Sequence, residues 1–106
     1  MKKFKISKII RKIKKSWKPI DVVDFNNYTL RIALFKGEYH WHKHDKEDEF
    51  FYVYQGKILI ETELGNMILN KGEGCVIPKR IKHKPSSKVK SYVFMIEPKK
   101  LASRGD

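Results

Sequence analysis

The chain has 106 residues, of which 41% are hydrophobic and 12% aromatic, and its formal net charge is +12. This length suits one domain with a single core, and the aromatic content excludes a wholly disordered chain. The single cysteine, Cys75, cannot form an intrachain disulfide, and no apolar run is long enough to span a bilayer. Because lysines also interrupt the apolar residues near the N-terminus, we expect a cytoplasmic protein.

The positive charge is concentrated at the start of the chain. Residues 1–18 contain nine Lys or Arg and no acid, whereas the remaining 88 residues carry 15 basic and 12 acidic side chains. The high isoelectric point therefore belongs to this segment, and it does not indicate that the body of the protein binds nucleic acid.

Apolar side chains in this basic segment recur every three or four positions: Ile6, Ile9, Ile10, Ile13 and Trp17. This spacing predicts an amphipathic helix over residues 3–17, ended by Pro19. The narrow stripe favours a helix packed on the body with its lysines in water. Two alternatives stay open, contact with an anionic membrane and contact with the phosphates of nucleic acid, both through residues 2–18.

From Ile20 onward the apolar pattern changes to period two, which is typical of half-buried strands. The predicted strands are 28–34, 57–64, 67–70, 75–77 and 89–96. Gly65-Asn66 predicts a two-residue hairpin turn between the second and third of them. Short strands without intervening helices indicate an antiparallel sandwich or barrel over residues 19–98, followed by a tail at 99–106.

The stretch from 37 to 56 carries the strongest functional signal. His40, His42 and His44 alternate, so on an extended strand all three would project to the same side. Asp45, Glu47, Asp48 and Glu49 follow them directly. Histidines and carboxylates this close together indicate a metal site, and His83 is the only other histidine that could join it.

The aromatic run after these acids has two faces. If Glu49 points into the barrel, then Phe51 and Val53 do so as well. The residues expected to face outward are Phe50, Tyr52 and Tyr54. Such an outer face is too apolar to be left in water. We expect it to be covered by the N-terminal helix, a second subunit or both, and we predict a homodimer.

Two spaced patterns give the metal interpretation a family context. The first is Gly37, four residues, His42-x-His44, four residues, Glu49, six residues and Gly56; the second is Gly72, five residues, Pro78 and then His83. They resemble the two motifs of the cupin superfamily, in the usual order. Over residues 20–98 the chain is similar to small single-domain cupins of the conserved-barrel type. These are often labelled mannose-6-phosphate-isomerase-like, a label about fold rather than activity.

The resemblance implies an all-β double-stranded β-helix, the jelly-roll or cupin barrel. It also implies that four residues bind one divalent metal: His42, His44, Glu49 and His83. Three imidazoles and a carboxylate suit Mn, Fe, Co, Ni, Cu or Zn better than Ca or Mg. Four protein ligands on an octahedral ion leave two positions for a small-molecule ligand.

The chain departs from the second motif at two positions, with Arg80 where the family usually has Gly and Ser87 where it usually has Asn. Arg80 would be strained if its φ is positive. Its side chain either lies in solvent, the simpler expectation, or holds an anionic ligand at the barrel mouth.

Other polar residues of the region have two readings each. His40 is either an acid or base at the pocket rim or a surface histidine. Glu47 or Asp48 would replace Glu49 as ligand only against the usual spacing, and a solvated acidic turn is the expectation. Cys75 lies on a predicted buried strand with no base beside it in sequence, which favours a core thiol over a nucleophile.

Three functions remain compatible with the sequence. The first is a metal-dependent small cupin that binds or transforms a small oxygen-rich metabolite, by isomerisation or oxygenation. The second is a sensing module without turnover, and the third is an adaptor that uses the basic helix. A second titratable group beside the metal would favour an enzyme.

Overall fold

The computed structural model describes residues 1–99, which form one helix and seven strands. Their bounds are α1 Ile6–Ile10, β1 Ile20–Phe25, β2 Tyr28–Glu38, β3 Glu49–Gln55, β4 Lys57–Thr62, β5 Gly65–Asn70, β6 Gly74–Ile77 and β7 His83–Pro98. Apart from Lys99, the tail predicted at 99–106 lies outside the described residues.

The long last strand, β7, organises the sheet. Its first residues pair with β4, and its second half pairs with β2 on one side and β3 on the other, always antiparallel. The remaining strands extend this arrangement, β1 beside β2, β6 beside β3 and β5 beside β4. The predicted all-β antiparallel architecture with a short N-terminal helix is therefore confirmed.

Alternating side chains build the inner core. Along β3, Glu49, Phe51 and Val53 are buried, while Tyr52 between them is exposed, which confirms the predicted inward positions of Phe51 and Val53. The inner core cluster consists of Ala33, Phe35, Phe51, Val53, Ile58, Ile60, Leu69, Ile77, Val93 and Met95. Members of this cluster, such as Phe51 and Met95, lie next to the polar side chains at one end of the barrel.

The N-terminal segment covers part of the outer face. Ile13 is buried against Val22, Ile32 and Leu34, and further apolar side chains pack around this second cluster: Ile6, Ile9, Ile10, Val23, Leu30, Tyr92 and Phe94. Burying one aliphatic side chain contributes about 1.5–3 kcal/mol. The apolar stripe is thus used within the fold, as the packing alternative expected, and the outer face is covered in part by the N-terminal segment.

The helix itself is much shorter than the predicted 3–17, because α1 ends at Ile10. Its N-cap, Lys5, makes no side-chain hydrogen bond, and no acid stands in the first turn. The chain then turns toward β2, where the Trp17 N–H donates to Leu34 O at 2.8 Å and Trp17 adopts a φ of 64°. Among the residues that the structure describes, no helix could cross a membrane.

Two strand predictions need correction. β7 begins at His83 rather than residue 89, since its start pairs with β4. The β4–β5 turn lies at residues 63–64 instead of Gly65-Asn66, because Thr62 pairs with Gly65. The register places Ile58 opposite Leu69, both in the inner core, and burial decides strand register more strongly than turn residues do.

Candidate metal centre

The predicted strand through the three alternating histidines is wrong. β2 ends at Glu38 and β3 begins at Glu49, so the histidines lie in a loop. The loop is pinned to the start of β7, because the His42 N–H donates to His83 O at 3.0 Å and the His83 N–H donates to His42 O at 2.9 Å. A third backbone bond, 2.7 Å long, runs from the Arg80 N–H to His44 O.

These bonds bring the imidazole rings together without a strand. The ring centroids of His42 and His44 are 5.4 Å apart, and those of His42 and His83 are 4.3 Å apart. His40 also joins the group, with its centroid 5.1 Å from that of His42. The loop therefore achieves the clustering that alternation on a strand was expected to provide.

Glu49 stands at the centre of this cluster. Its Oε2 lies 2.5 Å from His44 Nε2, and its Oε1 lies 3.2 Å from His83 Nε2 and 3.8 Å from His42 Nε2. The ligand atoms of His42, His44 and Glu49 all lie within 4.8 Å of one another. The structure thus brings all four predicted ligand residues together, and their side chains are 1% to 6% exposed.

Backbone carbonyls determine which ring nitrogen faces Glu49 as an acceptor. His42 Nδ1 lies 3.1 Å from His40 O, and His83 Nδ1 lies 3.0 Å from Ile81 O. A carbonyl only accepts, so both Nδ1 atoms carry hydrogen. In the neutral ring the lone pair is then on Nε2, directed at Glu49, which is the arrangement found when a carbonyl orients a metal-binding histidine.

The electrostatics of Glu49 are set by its neighbours. Burial alone would raise the pKa of this carboxyl group, but hydrogen bonding with His42, His44 and His83 outweighs burial and holds the pKa well below its usual range. Glu49 is therefore an ionised carboxylate at neutral pH. Either protons or a cation must separate it from the nitrogen lone pairs, and this donor set fits a divalent transition metal.

A small cavity adjoins the centre. Its volume is about 20 Å³, which is room for one water molecule or ion, and its walls include Trp17, Tyr39, His42, Glu49, Phe51 and Met95. Trp17 stacks on Tyr39 with ring centroids 4.9 Å apart, and its Nε1–H donates to Lys36 O at 2.9 Å. The N-terminal segment, for which the sequence predicts packing on the body of the protein but no part in the site, thus contributes one wall of the site.

His40 lies at the edge of the centre and is half-buried. Its ring packs on Tyr39 with centroids 4.0 Å apart, and its Nδ1–H donates to Trp41 O at 3.3 Å. Its Nε2 is buried and has no hydrogen-bond partner among the described residues. This position suits a rim residue better than a surface histidine, while its role as acid or base remains a prediction.

The acids of the loop have other tasks. Asp48 Oδ1 accepts from the Lys79 N–H at 2.9 Å, which ties the loop to the turn after β6. Asp45 forms an ion pair with Lys43. Glu47 is absent from the cluster of ligand atoms. Of the acidic residues between 45 and 49, only Glu49 stands among the histidines.

The two departures from the family motif behave differently. Arg80 is exposed and adopts a φ of 72°, so the strain expected from a side chain at a glycine position is present. Ser87 is buried, and its hydroxyl lies 2.8 Å from Lys57 O and 2.9 Å from Ser91 Oγ. Arg80 therefore shapes the backbone at His44, while Ser87 ties β7 to β4.

Cys75 packs against the inner core cluster and is half-buried. Burial, and then the charge of Glu49, raises the pKa of the Cys75 thiol to about 11. The thiol is therefore protonated at neutral pH, as expected for a core cysteine rather than a nucleophile.

Sequence reasoning missed one buried polar pair, formed by Glu97 and Arg31. Glu97 is only 1% exposed, and its Oε1 lies 3.6 Å from Arg31 Nη1. Glu97 continues the period-two series of the inward-facing Val93 and Met95. That parity was readable from the sequence, but its partner is 66 positions away and only the fold brings the two together.

Fold and site together describe an antiparallel β-barrel with three histidines and a glutamate converging inside one end. The model of the family described as "Cupin domain" matches residues 33–96. The chain belongs to the cupin family, and the predicted jelly-roll barrel is confirmed.

Known proteins agree with this assignment. The uncharacterized protein YdbB of Bacillus subtilis (strain 168) is 30% identical over 92 residues, which cover 86% of this chain and 81% of that protein. A cupin-2 domain-containing protein from Shewanella frigidimarina is 31% identical in sequence, with a TM-score of 0.87 over 91% of this chain and 94% of its own.

A more distant likeness concerns fold alone. The hydroquinone 1,2-dioxygenase PnpCD, solved with Cd²⁺ and 4-hydroxybenzonitrile, has a TM-score of 0.79 at 16% identity. The match covers 90% of this chain and 71% of that one. It shows that the same barrel occurs in a dioxygenase.

Proposed function

We propose that the protein is a metal-dependent small cupin that binds or transforms a small oxygen-rich molecule. Four residues would hold one divalent transition metal: His42, His44, Glu49 and His83. One observation carries the proposal, namely three imidazole Nε2 atoms at 2.5–3.8 Å from the buried Glu49 carboxylate. Two backbone carbonyls orient His42 and His83 so that their Nε2 atoms are the ones available to a metal.

The ligand set favours Mn, Fe, Co, Ni, Cu or Zn. PnpCD, which shares the fold, has been solved with Cd²⁺ and with Fe³⁺. When bound here, such an ion would polarise an oxygen atom of the ligand as a Lewis acid. The protein contributes orientation through the backbone bonds of His42 and His83, and exclusion of water through the apolar walls Phe51 and Met95.

The small cavity limits what can bind. At about 20 Å³ it accepts an ion, but a molecule larger than water requires movement of Trp17 or Tyr39. We therefore propose that the ligand is small and that it enters past these two rings. A titratable side chain at the edge of the centre, His40, favours turnover by isomerisation or oxygenation over a sensing module without chemistry.

Metal content tests the proposal. Protein purified without affinity metals is expected to carry about one divalent ion per chain, and His42→Ala and His83→Ala are expected to lose it. His40→Ala is the matched control, because it removes a histidine of the same loop that is not a proposed ligand. Wild-type metal levels in both ligand variants would contradict the assignment.

We also propose that the protein forms a homodimer through the uncovered outer face of β3 and β6. Phe50 pairs with Val76 there, and Val76 and Tyr52 remain 54% and 37% exposed. Sedimentation velocity is expected to show a dimer that Val76→Lys dissociates. Ile68→Lys is the control, since Ile68 is equally exposed on β5 at 56%. A wild-type monomer would refute this arrangement.

The basic segment remains a second candidate interface. Its isoleucines pack against the barrel, which supports the packing alternative over contact with a membrane. We propose that its nine Lys or Arg side chains contact the phosphates of nucleic acid. An electrophoretic mobility shift at low ionic strength would support it, and no shift under those conditions would remove it.

A further inference from the structure

A second and larger cleft lies where β4, β5 and β7 meet, away from the metal centre. Its volume is about 410 Å³, which is within the range of sites that hold small organic molecules. It shares no lining residue with the small cavity beside Glu49. Six of its lining residues carry the argument: Lys57, Leu59, Ile68, Ser87, Lys88 and Val89.

Strand register builds the apolar floor of the cleft. Leu59 of β4 pairs with Ser86 of β7 on one side and with Ile68 of β5 on the other. The next residues in sequence, Ile58 and Leu69, belong to the inner core, so this row faces outward. Ile68 is 56% exposed. The cleft therefore offers apolar surface that a bound molecule could cover.

A bulge in β7 forms the wall beside this floor. Ser87 pairs with Gly37 and Ser91 pairs with Phe35, so residues 88–90 of β7 lie opposite a single residue of β2. Extra residues of this kind bend a strand and redirect its side chains. The bulge thus places Lys88 and Val89 in the lining of the cleft.

Two buried serines hold the wall in place. Ser87 Oγ lies 2.6 Å from Val89 O and 2.8 Å from Lys57 O, and the Lys57 N–H donates to Ser91 Oγ at 3.0 Å. A Cβ at Gly56 would stand 2.2 Å from Ser91 Oγ, so glycine is what allows this close approach. The backbones of Lys57 and Val89 are therefore fixed before any ligand binds, which lowers the entropic cost of binding.

The charge of the cleft is positive. Lys57 and Lys88 are exposed, and among residues 1–99 neither ammonium group forms an ion pair with a carboxylate. No acidic residue stands in the described lining. Two cations beside apolar surface attract an anion with an apolar body. The lining contains neither an arginine nor a helix N-terminus, the groups that most often hold phosphate, so a carboxylate is the better match.

We propose that this cleft binds an organic carboxylate with an apolar body. The carboxylate lies between the ammonium groups of Lys57 and Lys88, and the apolar body packs on Leu59, Ile68 and Val89. The site does not depend on the metal centre, so the failure of one proposal leaves the other standing.

Chemical-shift mapping on the full-length, ¹⁵N-labelled protein tests the location. The probe is octanoate, and the neutral control of the same chain length is octanamide. Octanoate is expected to shift the amide signals of Leu59, Ile68 and Val89, and octanamide should bind about fivefold more weakly, since it lacks the charge. Shifts confined to the loop around His42, or no shifts in the cleft, would overturn the proposal.

A double variant tests the role of the charges. Lys57→Gln with Lys88→Gln should weaken octanoate binding by about fivefold and leave octanamide binding unchanged. The matched control is Lys14→Gln with Lys15→Gln, which removes two exposed lysines outside the cleft. Unchanged octanoate affinity in the cleft variant, or an equal loss in the control, would overturn the proposal.

A second copy of the chain is the competing occupant. Sedimentation velocity of Ile68→Lys separates the two cases, because a lysine there would disrupt a subunit contact across the cleft. The proposal predicts that Ile68→Lys keeps the assembly state of the wild type and binds octanoate more weakly. Dissociation of a wild-type dimer by Ile68→Lys would overturn it.

Discussion

Glu49 and Glu97 are two buried glutamates on the same inner face of one barrel, and the pKa values of their carboxyl groups are shifted in opposite directions. Three imidazoles surround Glu49 and hold its pKa well below the usual range. Glu97 has the Arg31 guanidinium 3.6 Å away and accepts no hydrogen bond from the described part of the chain, and burial raises its pKa to about 7. Both are almost fully buried, so burial does not separate them. The difference shows that the partners of a buried carboxyl group decide whether its pKa is lowered or raised.

The largest expected effect comes from removing the charged member of the pair. Glu49→Gln should weaken Zn²⁺ binding by at least roughly 100-fold, since even groups that only orient a metal ligand are worth about 10–100-fold. Competition with a coloured chelator measures this affinity. Glu73→Gln serves as the control, and an unchanged affinity in Glu49→Gln would remove Glu49 from the ligand set.

The same variant should lose stability in metal-free protein. Glu49 is the buried carboxylate that the histidines face, and leaving buried polar groups without their partner costs roughly 1–3 kcal/mol. Because the pKa of Glu49 is below its ordinary value of 4.5, its contribution is present above pH 4.5 and is lost as the pH falls further. Urea denaturation of wild type and Glu49→Gln should therefore differ most at neutral pH. A difference that grows in acid would contradict the account.

Glu97→Gln should show the opposite pH dependence. The folded pKa of about 7 lies above the ordinary value of 4.5, so the wild type is most favoured below pH 4.5 and loses stability as the pH rises through 7. Glutamine does not ionise, so between pH 4.5 and pH 7 the unfolding free energy of the variant should rise relative to that of the wild type by up to about 3 kcal/mol. Parallel pH profiles of the two unfolding free energies would show that Glu97 is not perturbed.

The smallest expected effect lies at the turn beside the centre. Arg80 has a φ of 72° and an exposed side chain, so Arg80→Gly should relieve backbone strain and stabilise the fold by about 0.5–1 kcal/mol. Zn²⁺ affinity should not change, because the backbone N–H that holds His44 O is retained. Lys79→Gly, at a residue without positive φ, should destabilise instead. Destabilisation by Arg80→Gly would indicate an unrecognised role for the guanidinium.

The sequence was sufficient for the barrel and for the cluster around Glu49. Period-two patterning predicts β3 because one face of this strand is buried in the core and the other faces outward. The spacing of the two motifs predicts that His83 joins the histidines of the loop. The sequence did not predict that the histidines come together in a loop held by backbone hydrogen bonds rather than on a strand. Gly37 adopts a φ of 82° near the end of β2, and the loop is then held by backbone bonds to β7 that depend on the finished fold.

Two other errors have the same cause. The helix predicted over 3–17 ends at Ile10. The chain must leave the helix to reach β2, where Trp17 donates hydrogen bonds to Leu34 O and Lys36 O. Glu97 was missed because the predicted last strand ends at residue 96, one position before it. Its burial and its contact with Arg31 arise only when β2 and β7 pair. Local sequence patterns predict which helices and strands form. Long-range contacts decide where these elements begin and end and which residues they contact there.

The central claim is that one metal ion lies among the four converging side chains. The most direct test is a crystal structure of the Zn²⁺-loaded protein, with anomalous data recorded at the zinc absorption edge. The account predicts a single anomalous peak at about 2.0–2.2 Å from Nε2 of His42, His44 and His83 and from a Glu49 carboxylate oxygen. A peak elsewhere, or no peak in zinc-loaded crystals, would contradict it.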